Sequence, residues 1–226
     1  MDGNGRWAKA QGLSRSDGHA AGTRTARALV TSCRELGIEY VTLYTFSREN
    51  WARPKEEVSF LFDLLRRFLA RELASLIRQD IRLNVLGELS ELPLITRKVL
   101  QHTMKKTAGC KSMVLNLALN YSGRDEIVRA AQRMAQDGLA PAEMTEEALA
   151  ARLYTAGQPD PDLVIRTSGE LRISNYLLFQ SAYSEFYFTD AYWPDFDEAA
   201  LLKALDDYAS RKRRFGKTGE QAGETS

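Results

Sequence analysis

The sequence contains no run approaching the ~20 consecutive apolar residues that a bilayer-spanning helix needs. No segment of it reads as a signal peptide. Among 226 residues there are only two cysteines and two histidines. Cys33 and Cys110 fall on different expected elements and have no metal-ligand spacing. Two buried, reduced thiols in a cytosolic protein are therefore expected, with a single disulfide left open. Charge of one sign is also missing: the formal net charge is +1, so no global field draws the chain to nucleic acid or to an anionic membrane. No Pro/Gly/Ser-rich linker and no internal repeat divides the chain. Gly216-Lys217-Thr218 has the end of a phosphate-binding loop, but the position five residues earlier is Arg211 rather than glycine, and no strand precedes it. No Ser-His-Asp or Cys-His set suggests itself.

Hydrophobic residues make up 44% and charged residues 27%, which suits a globular chain with a sizeable core. Arginine clearly outnumbers lysine, and its planar fork grips phosphate through two bonds at once. Helical spacing of apolar residues predicts helices over 19–36, 54–79, 95–107, 124–135 and 197–215. Strands are predicted over 40–46, 81–86, 113–119, 163–165 and 185–188, with short helices and loops over 136–161. This alternation predicts one α/β domain, 1–216, with a central, mostly parallel sheet flanked by helices. The polar stretch 217–226 reads as a disordered tail.

In open parallel sheets, ligands bind beyond the carboxyl ends of the strands. The polar clusters fall there: Ser47 to Pro54, Asn120 to Arg124, and Arg166 to Asn175. A fourth, Met1 to Trp7, opens the chain with two glycines around an asparagine, an aspartate and an arginine. Such a loop can aim several N–H groups at one anion, or it can be an ordinary frayed terminus. Arg166 to Ser174 offers two guanidinium forks and a hydroxyl around a Ser-Gly turn, ahead of a helical stretch, which suits a diphosphate. Alternatively, Arg166 pairs with Asp162 or Glu170 in a structural ion pair. His19, near Arg15, is either structural or an aid to phosphate binding, and His102 reads as a surface residue. The aromatics from Phe186 to Phe196 read as core and interface, and the basic run at 211–214 as a solvated helix end.

Taken together these segments resemble the cis-prenyltransferase family, whose members include the bacterial undecaprenyl diphosphate synthases. The resemblance rests on 1–8, Gly18-His19, Tyr44 to Pro54, Asn116 to Arg124, Asp162 to Glu170, Arg172 to Asn175, Glu185 to Phe188 and Trp193 to Phe196, in family order along nearly the whole chain. It implies an enzyme that condenses isopentenyl diphosphate with an allylic diphosphate such as farnesyl diphosphate. The product would be a long-chain cis-polyprenyl diphosphate, with undecaprenyl diphosphate for cell-wall lipid carrier synthesis the expected one. Carried over by position, Asp2 would be the essential carboxylate, acting with Mg²⁺. Gly3, Asn4, Gly5, Arg6, Trp7, Arg15 and His19 would hold the allylic diphosphate. Asn50 would assist proton removal, with Ser47, Arg48, Glu49, Trp51 and Arg53 shaping the site. Arg166, Arg172, Ile173 and Ser174 would grip the isopentenyl diphosphate, and Glu185 would be the second metal-linked carboxylate. The resemblance further implies a homodimer, a cytoplasmic location and contact with a membrane only at its periphery, through the lipid product. An Arg-x-Gly element at 214–216 would reach a partner's site.

There are departures from the family. Leu171 stands where many relatives carry histidine, and Arg48 where they often carry a small residue. The family also has a strand ahead of the Asp-Gly-Asn-Gly loop. Met1 matches an internal methionine at its end, so the first strand is expected to be lacking, through a misassigned start or a real truncation. No Asp-Asp-x-x-Asp motif occurs, since Ser210 follows Asp206-Asp207 in the fifth position, which sets the chain apart from the all-helical trans-prenyltransferases. The competing expectations are a non-catalytic partner subunit of the same family, or a generic phosphate-binding module. The apolar stretch 58–76 either lines a tunnel for the growing chain or is ordinary core.

Overall fold

The computed structural model describes residues 1–211. The longest elements form where the apolar spacing predicts them. Helix α2, Arg15–Glu35, buries Ala26, Leu29, Val30 and Cys33 on one face. It starts four residues before the predicted His19, because Ser14 and Asp17 cap each other's backbone N–H groups (3.2 and 3.1 Å). Helix α3, Lys55–Arg78, buries Val58, Phe62, Leu65, Leu69 and Leu76, with Pro54 at the cap position rather than inside the helix. Leu69 is fully buried, and such burial stabilises by roughly 1.5–3 kcal/mol.

Strands β1 (Tyr40–Ser47), β2 (Ile81–Leu86) and β3 (Met113–Tyr121) form a parallel sheet in the order β1-β3-β2. All nine residues of β3 are buried, as a central strand covered on both faces requires. Leu115, Leu117 and Leu119 join the main core with α2 and α3, while Ala118 and Tyr121 pack on a smaller second core with Leu86 and Leu177. Helices α4 (Leu94–Thr107) and α5 (Gly123–Gln136) follow β2 and β3, and α6 is the short Glu146–Ala150. Strands β4 (Leu163–Arg166) and β5 (Glu185–Phe188) form a second parallel pair, and α7 runs from Glu198 to Ser210.

The parallel sheet is thus in two parts. Among the described residues β1 pairs only with β3, and β4 only with β5. Every residue of β1 and of β4 lines one cavity of about 1410 Å³. Successive strand side chains point to opposite faces, so a cavity touching all of them runs along the facing strand edges.

Several expected elements differ. Residues 4–10 form helix α1 instead of a loop, entered through Gly3 in the left-handed region. The two flanking glycines suggested a turn, but Ala8 is completely buried and the packing of α1 against α2 wins over local propensity. No helix follows the Ser168-Gly169 turn, where 174–183 is a chain of turns and bends. The closing helix ends at Ser210 rather than 215. The 212–214 part of the basic run, the 214–216 element and the 217–226 tail lie outside the described residues. Both cysteines are free and buried, and no described helix is long and apolar enough to cross a membrane.

Candidate active site

The site is assembled at the carboxyl ends of β1 and β4. Asp2 is held there by its backbone. Its N–H donates to Thr167 Oγ1 (3.1 Å), its carbonyl accepts from the same hydroxyl (2.9 Å), and the carbonyl also accepts from Trp193 N (3.0 Å). The next residue turns sharply, at φ 101°, and a Cβ on Gly3 would stand 2.1 Å from Ser168 Oγ. Only glycine fits that approach.

The Asp2 carboxylate meets Arg166 (3.0 Å), Arg6 (3.4 Å) and the Gly3 N–H (2.8 Å). Burial favours its protonated form, but the Arg166 hydrogen bond, the charges of Arg166 and Arg6 and the Gly3 bond outweigh it, so the carboxyl titrates below the usual range. The Arg166 guanidinium then turns to the following loop, donating to Ser174 Oγ at 2.8 Å and to the Arg172 carbonyl. Glu170 joins Arg6 (2.9 Å) to Arg172 (2.5 Å). Three guanidinium groups therefore face two carboxylates, leaving a positive excess for an anion.

A second cluster lies beside it on α2 and α3. Glu57 accepts from Arg15 (2.8 Å) and Arg53 (3.1 Å), and His19 Nε2 is 3.6 Å away. Burial raises the Glu57 pKa, but Arg15, Arg53 and His19 together bring it below its ordinary value. Burial depresses His19 despite Glu57, so its imidazole is neutral near pH 7. His19 Nε2, Arg166 Nε and Ser168 Oγ are buried without a hydrogen-bond partner. Such orphaned polar atoms fit a site that a polar ligand completes.

Between the clusters stands the 3₁₀ turn Arg48–Ala52 that ends β1. Asn50 Oδ1 accepts from Ser47 N (3.1 Å), which leaves its amide NH₂ to the cavity it lines. One lone pair of the oxygen is engaged, and the free NH₂ makes this amide a hydrogen-bond donor toward a ligand.

Asp2, Gly3, Asn4, Gly5 and Arg6 line the cavity together with Arg15, His19, Ser47, Glu49, Asn50, Arg53, Arg166, Arg172, Ile173 and Ser174. Trp7, Arg48 and Trp51 do not. Trp7 donates to Asp195 (2.6 Å) and Trp51 to Asn120 (2.8 Å). Arg48 turns away to Asp125 (2.9 Å) and Glu91 (3.3 Å), so its charge is neutralised outside the cavity. Leu171, 78% exposed, does not line it either.

Glu185 is not brought to Asp2 within this chain. The parallel register sets Glu185 opposite Leu163 at the start of β4, whereas Asp2 sits beyond Arg166 at its end. Three residues of strand separate those levels, roughly 10 Å. Glu185 pairs instead with Arg211 (2.8 Å). Among the described residues no group of three or more His, Cys, Asp or Glu side chains could hold a metal by itself.

Sequence reading missed Thr167, which pins Asp2, and Glu57, which gathers Arg15, Arg53 and His19. The second carried a signal, because Arg53 and Glu57 are four apart across the start of α3. Behind the polar mouth, the cavity is lined by Leu29, Val30 and Cys33 of α2 and Leu61, Leu65 and Phe68 of α3. Burial pushes the Cys33 thiol up to about 11, so it is an inert wall residue.

An arginine-rich mouth on a cavity with an apolar wall suits an amphiphile with an anionic head and a hydrocarbon tail. Residues 1–216 match the prenyltransferase family model described as "Putative undecaprenyl diphosphate synthase". The isoprenyl transferase of Clostridium tetani is 50% identical over 220 residues, 96% of this chain and 86% of that protein. That of Chromobacterium violaceum is 51% identical over 221 residues, 98% of this chain and 87% of that protein. Among solved structures, lavandulyl diphosphate synthase from Lavandula x intermedia, in complex with dimethylallyl diphosphate, superposes with a TM-score of 0.93. It is 36% identical and covers 96% of this chain and 95% of its own. A probable undecaprenyl diphosphate synthase from Campylobacter jejuni gives a TM-score of 0.79 at 35% identity, over 88% of this chain and 93% of its own. The chain belongs to the undecaprenyl diphosphate synthase family, and it is an enzyme of the cis-prenyltransferase type.

Proposed function

We propose that the enzyme condenses isopentenyl diphosphate with an allylic diphosphate, farnesyl diphosphate being the expected primer, and elongates it to a long-chain cis-polyprenyl diphosphate. Undecaprenyl diphosphate, the precursor of a cell-wall lipid carrier, is the expected product. The observation that carries this reading is the meeting of Asp2, Arg166 and Ser174 at the mouth of the 1410 Å³ cavity that Asn50 also lines.

The two clusters together offer groups for two diphosphates. Gly3 to Arg6, with Arg15 and His19, hold the allylic group, and Arg166, Arg172 and Ser174 hold the isopentenyl group. Each cluster is paired internally, so an incoming diphosphate takes over guanidinium forks now shared with Glu170 and Glu57. As the allylic C–O bond breaks, charge builds on the leaving diphosphate. Preplaced arginines stabilise that charge more than they stabilise the ground state. The new C–C bond forms at the terminal carbon of the isopentenyl unit, and a proton leaves its C2. Asn50, a donor here, orients a diphosphate oxygen, and that oxygen takes the proton.

Asp2 is anionic and half-exposed, and Mg²⁺ is bound through one or two carboxylates together with substrate phosphates, so this residue fits the ion. Bound there, Mg²⁺ would neutralise charge on the departing diphosphate. The apolar wall of α2 and α3 takes the growing tail. The working form is proposed to be a cytoplasmic homodimer that meets the membrane only to deliver product.

Radiolabelled isopentenyl diphosphate supplied with farnesyl diphosphate and Mg²⁺ tests the proposal. Label should enter butanol-extractable polyprenyl diphosphates, and chromatography gives their length. Absence of incorporation would favour the non-catalytic partner subunit.

A further inference from the structure

The diphosphate cradle and the Asn50 turn come from distant parts of the chain, yet the reaction needs a fixed separation between them. Neither belongs to a long regular element. Arg172 to Ser174 lie in irregular chain, and Ser174 and Asn175 both take positive φ (49° and 61°). The Asn50 turn is a single 3₁₀ segment.

The Asn175 side chain lies between them. Its Nδ2 donates to Glu49 Oε1 (2.8 Å) and to Ser122 Oγ (2.8 Å), and its Oδ1 accepts from Arg124 N (2.9 Å). Its carbonyl accepts from Gly123 N (2.8 Å). Both amide hydrogens are used, on two different loops, and the start of α5 holds the oxygen. A Cβ on Gly123 would come within 3.0 Å of the Asn175 carbonyl and 2.8 Å of Leu178, so the turn lies directly on that glycine.

We infer that Asn175 is a positioning residue: acting through Glu49, it sets the Asn50 turn at a fixed distance from the Arg166–Ser174 cradle. The inference rests on the condensation reading above, and Asn175 itself touches no reacting atom. Only an amide meets the requirement. A carboxylate at this position has no donor for Glu49 and would set two negative charges against each other. Burial alone would raise the Glu49 pKa, but the Asn175 amide leads the contacts that bring it below its ordinary value.

The test uses Asn175→Gly, Asn175→Asp and the double variant Asn175→Asp/Glu49→Gln. Glycine keeps the positive φ without strain, so folding is preserved while the amide is lost. Asn175→Gly and Asn175→Asp should each lower kcat at least 10-fold with KM for isopentenyl diphosphate changed less than 3-fold. Asn175→Asp should recover activity as pH falls, when one carboxylate of the facing pair takes a proton. The double variant exchanges donor and acceptor across the same contact, and should recover at least 5-fold over Asn175→Asp. Hydrogen exchange over residues 47–52 should quicken at least 10-fold in Asn175→Gly, which reads the link without turnover. An inactive wild-type protein whose exchange still responds would overturn the condensation reading and leave the positioning role supported. Wild-type kcat and unchanged exchange in Asn175→Gly would overturn the inference, as would a double variant no better than Asn175→Asp.

Discussion

The Thr167 hydroxyl donates to the Asp2 carbonyl at 2.9 Å and accepts from the Asp2 amide at 3.1 Å. One side chain thereby fixes the backbone on both sides of the carboxylate proposed to be essential. Thr167 is 2% exposed, so these bonds are little disturbed by water.

Replacing Thr167 with valine keeps the shape and removes both bonds. The Asp2 carbonyl keeps its bond from Trp193 N (3.0 Å), but the Asp2 N–H is left unpaired, which costs about 1–3 kcal/mol. The variant should melt several degrees lower and lose kcat more than it raises either KM. Steady-state assays beside thermal denaturation check this.

Gly3→Ala should be worse for activity than for stability. The new methyl group meets Ser168 Oγ and must hold φ near 101°. The turn that aims Asp2 would open, with kcat falling about 10²-fold, the scale of a misplaced catalytic group. A circular dichroism spectrum like that of the wild type would locate the fault at the site.

Acid should destabilise the protein through identified groups. Asp2, Glu49 and Glu57 have depressed carboxyl pKa values in the folded state. Their contribution is full above the unfolded values and is lost as pH falls from there through the lower folded ones. His19 is also depressed. The unfolded chain therefore binds its proton first, and stability starts to fall as pH drops below about 6.5, the ordinary histidine value. Melting curves between pH 8 and 4 should show this earlier decline, and His19→Gln should remove it while Glu57→Gln flattens the later one.

If the wall formed by α2 and α3 receives the tail, a bulky side chain there should shorten the product. Val30 and Leu65 both line the cavity. Val30→Trp should shift the product distribution toward fewer isoprene units at a stability cost of about 1–3 kcal/mol. Thin-layer chromatography of dephosphorylated products reads the change.

Much of this was legible in the sequence where local pattern and tertiary outcome agree. Strands 81–86 and 185–188 have the predicted bounds, the first because Gly87 stops it and the second because Phe186, Tyr187 and Phe188 form an aromatic run. The start of α2 is legible too, since Ser14 and Asp17 carry the capping signal four residues nearer the N-terminus than the apolar spacing alone suggests. Helix α1 was hidden, because Gly3 before it and Gly5 within it argue for a turn and only burial of Ala8 shows otherwise. Side-chain direction was the least legible. Arg48 has the same neighbours in sequence whether it faces the cavity or Asp125, and the ion pairs with Asp125 and Glu91 decide it. Resemblance makes Glu185 a second metal-linked carboxylate but gives no position relative to Asp2, which strand register sets at the opposite end of β4.

The most direct test compares wild-type protein with Asp2→Ala in the transfer of labelled isopentenyl diphosphate onto farnesyl diphosphate, at matched folding by circular dichroism. The account predicts incorporation by the wild type and a loss on the order of 10²–10³-fold or more in the variant, the scale of removing one preorganised electrostatic group. Equal incorporation by the two proteins would contradict it.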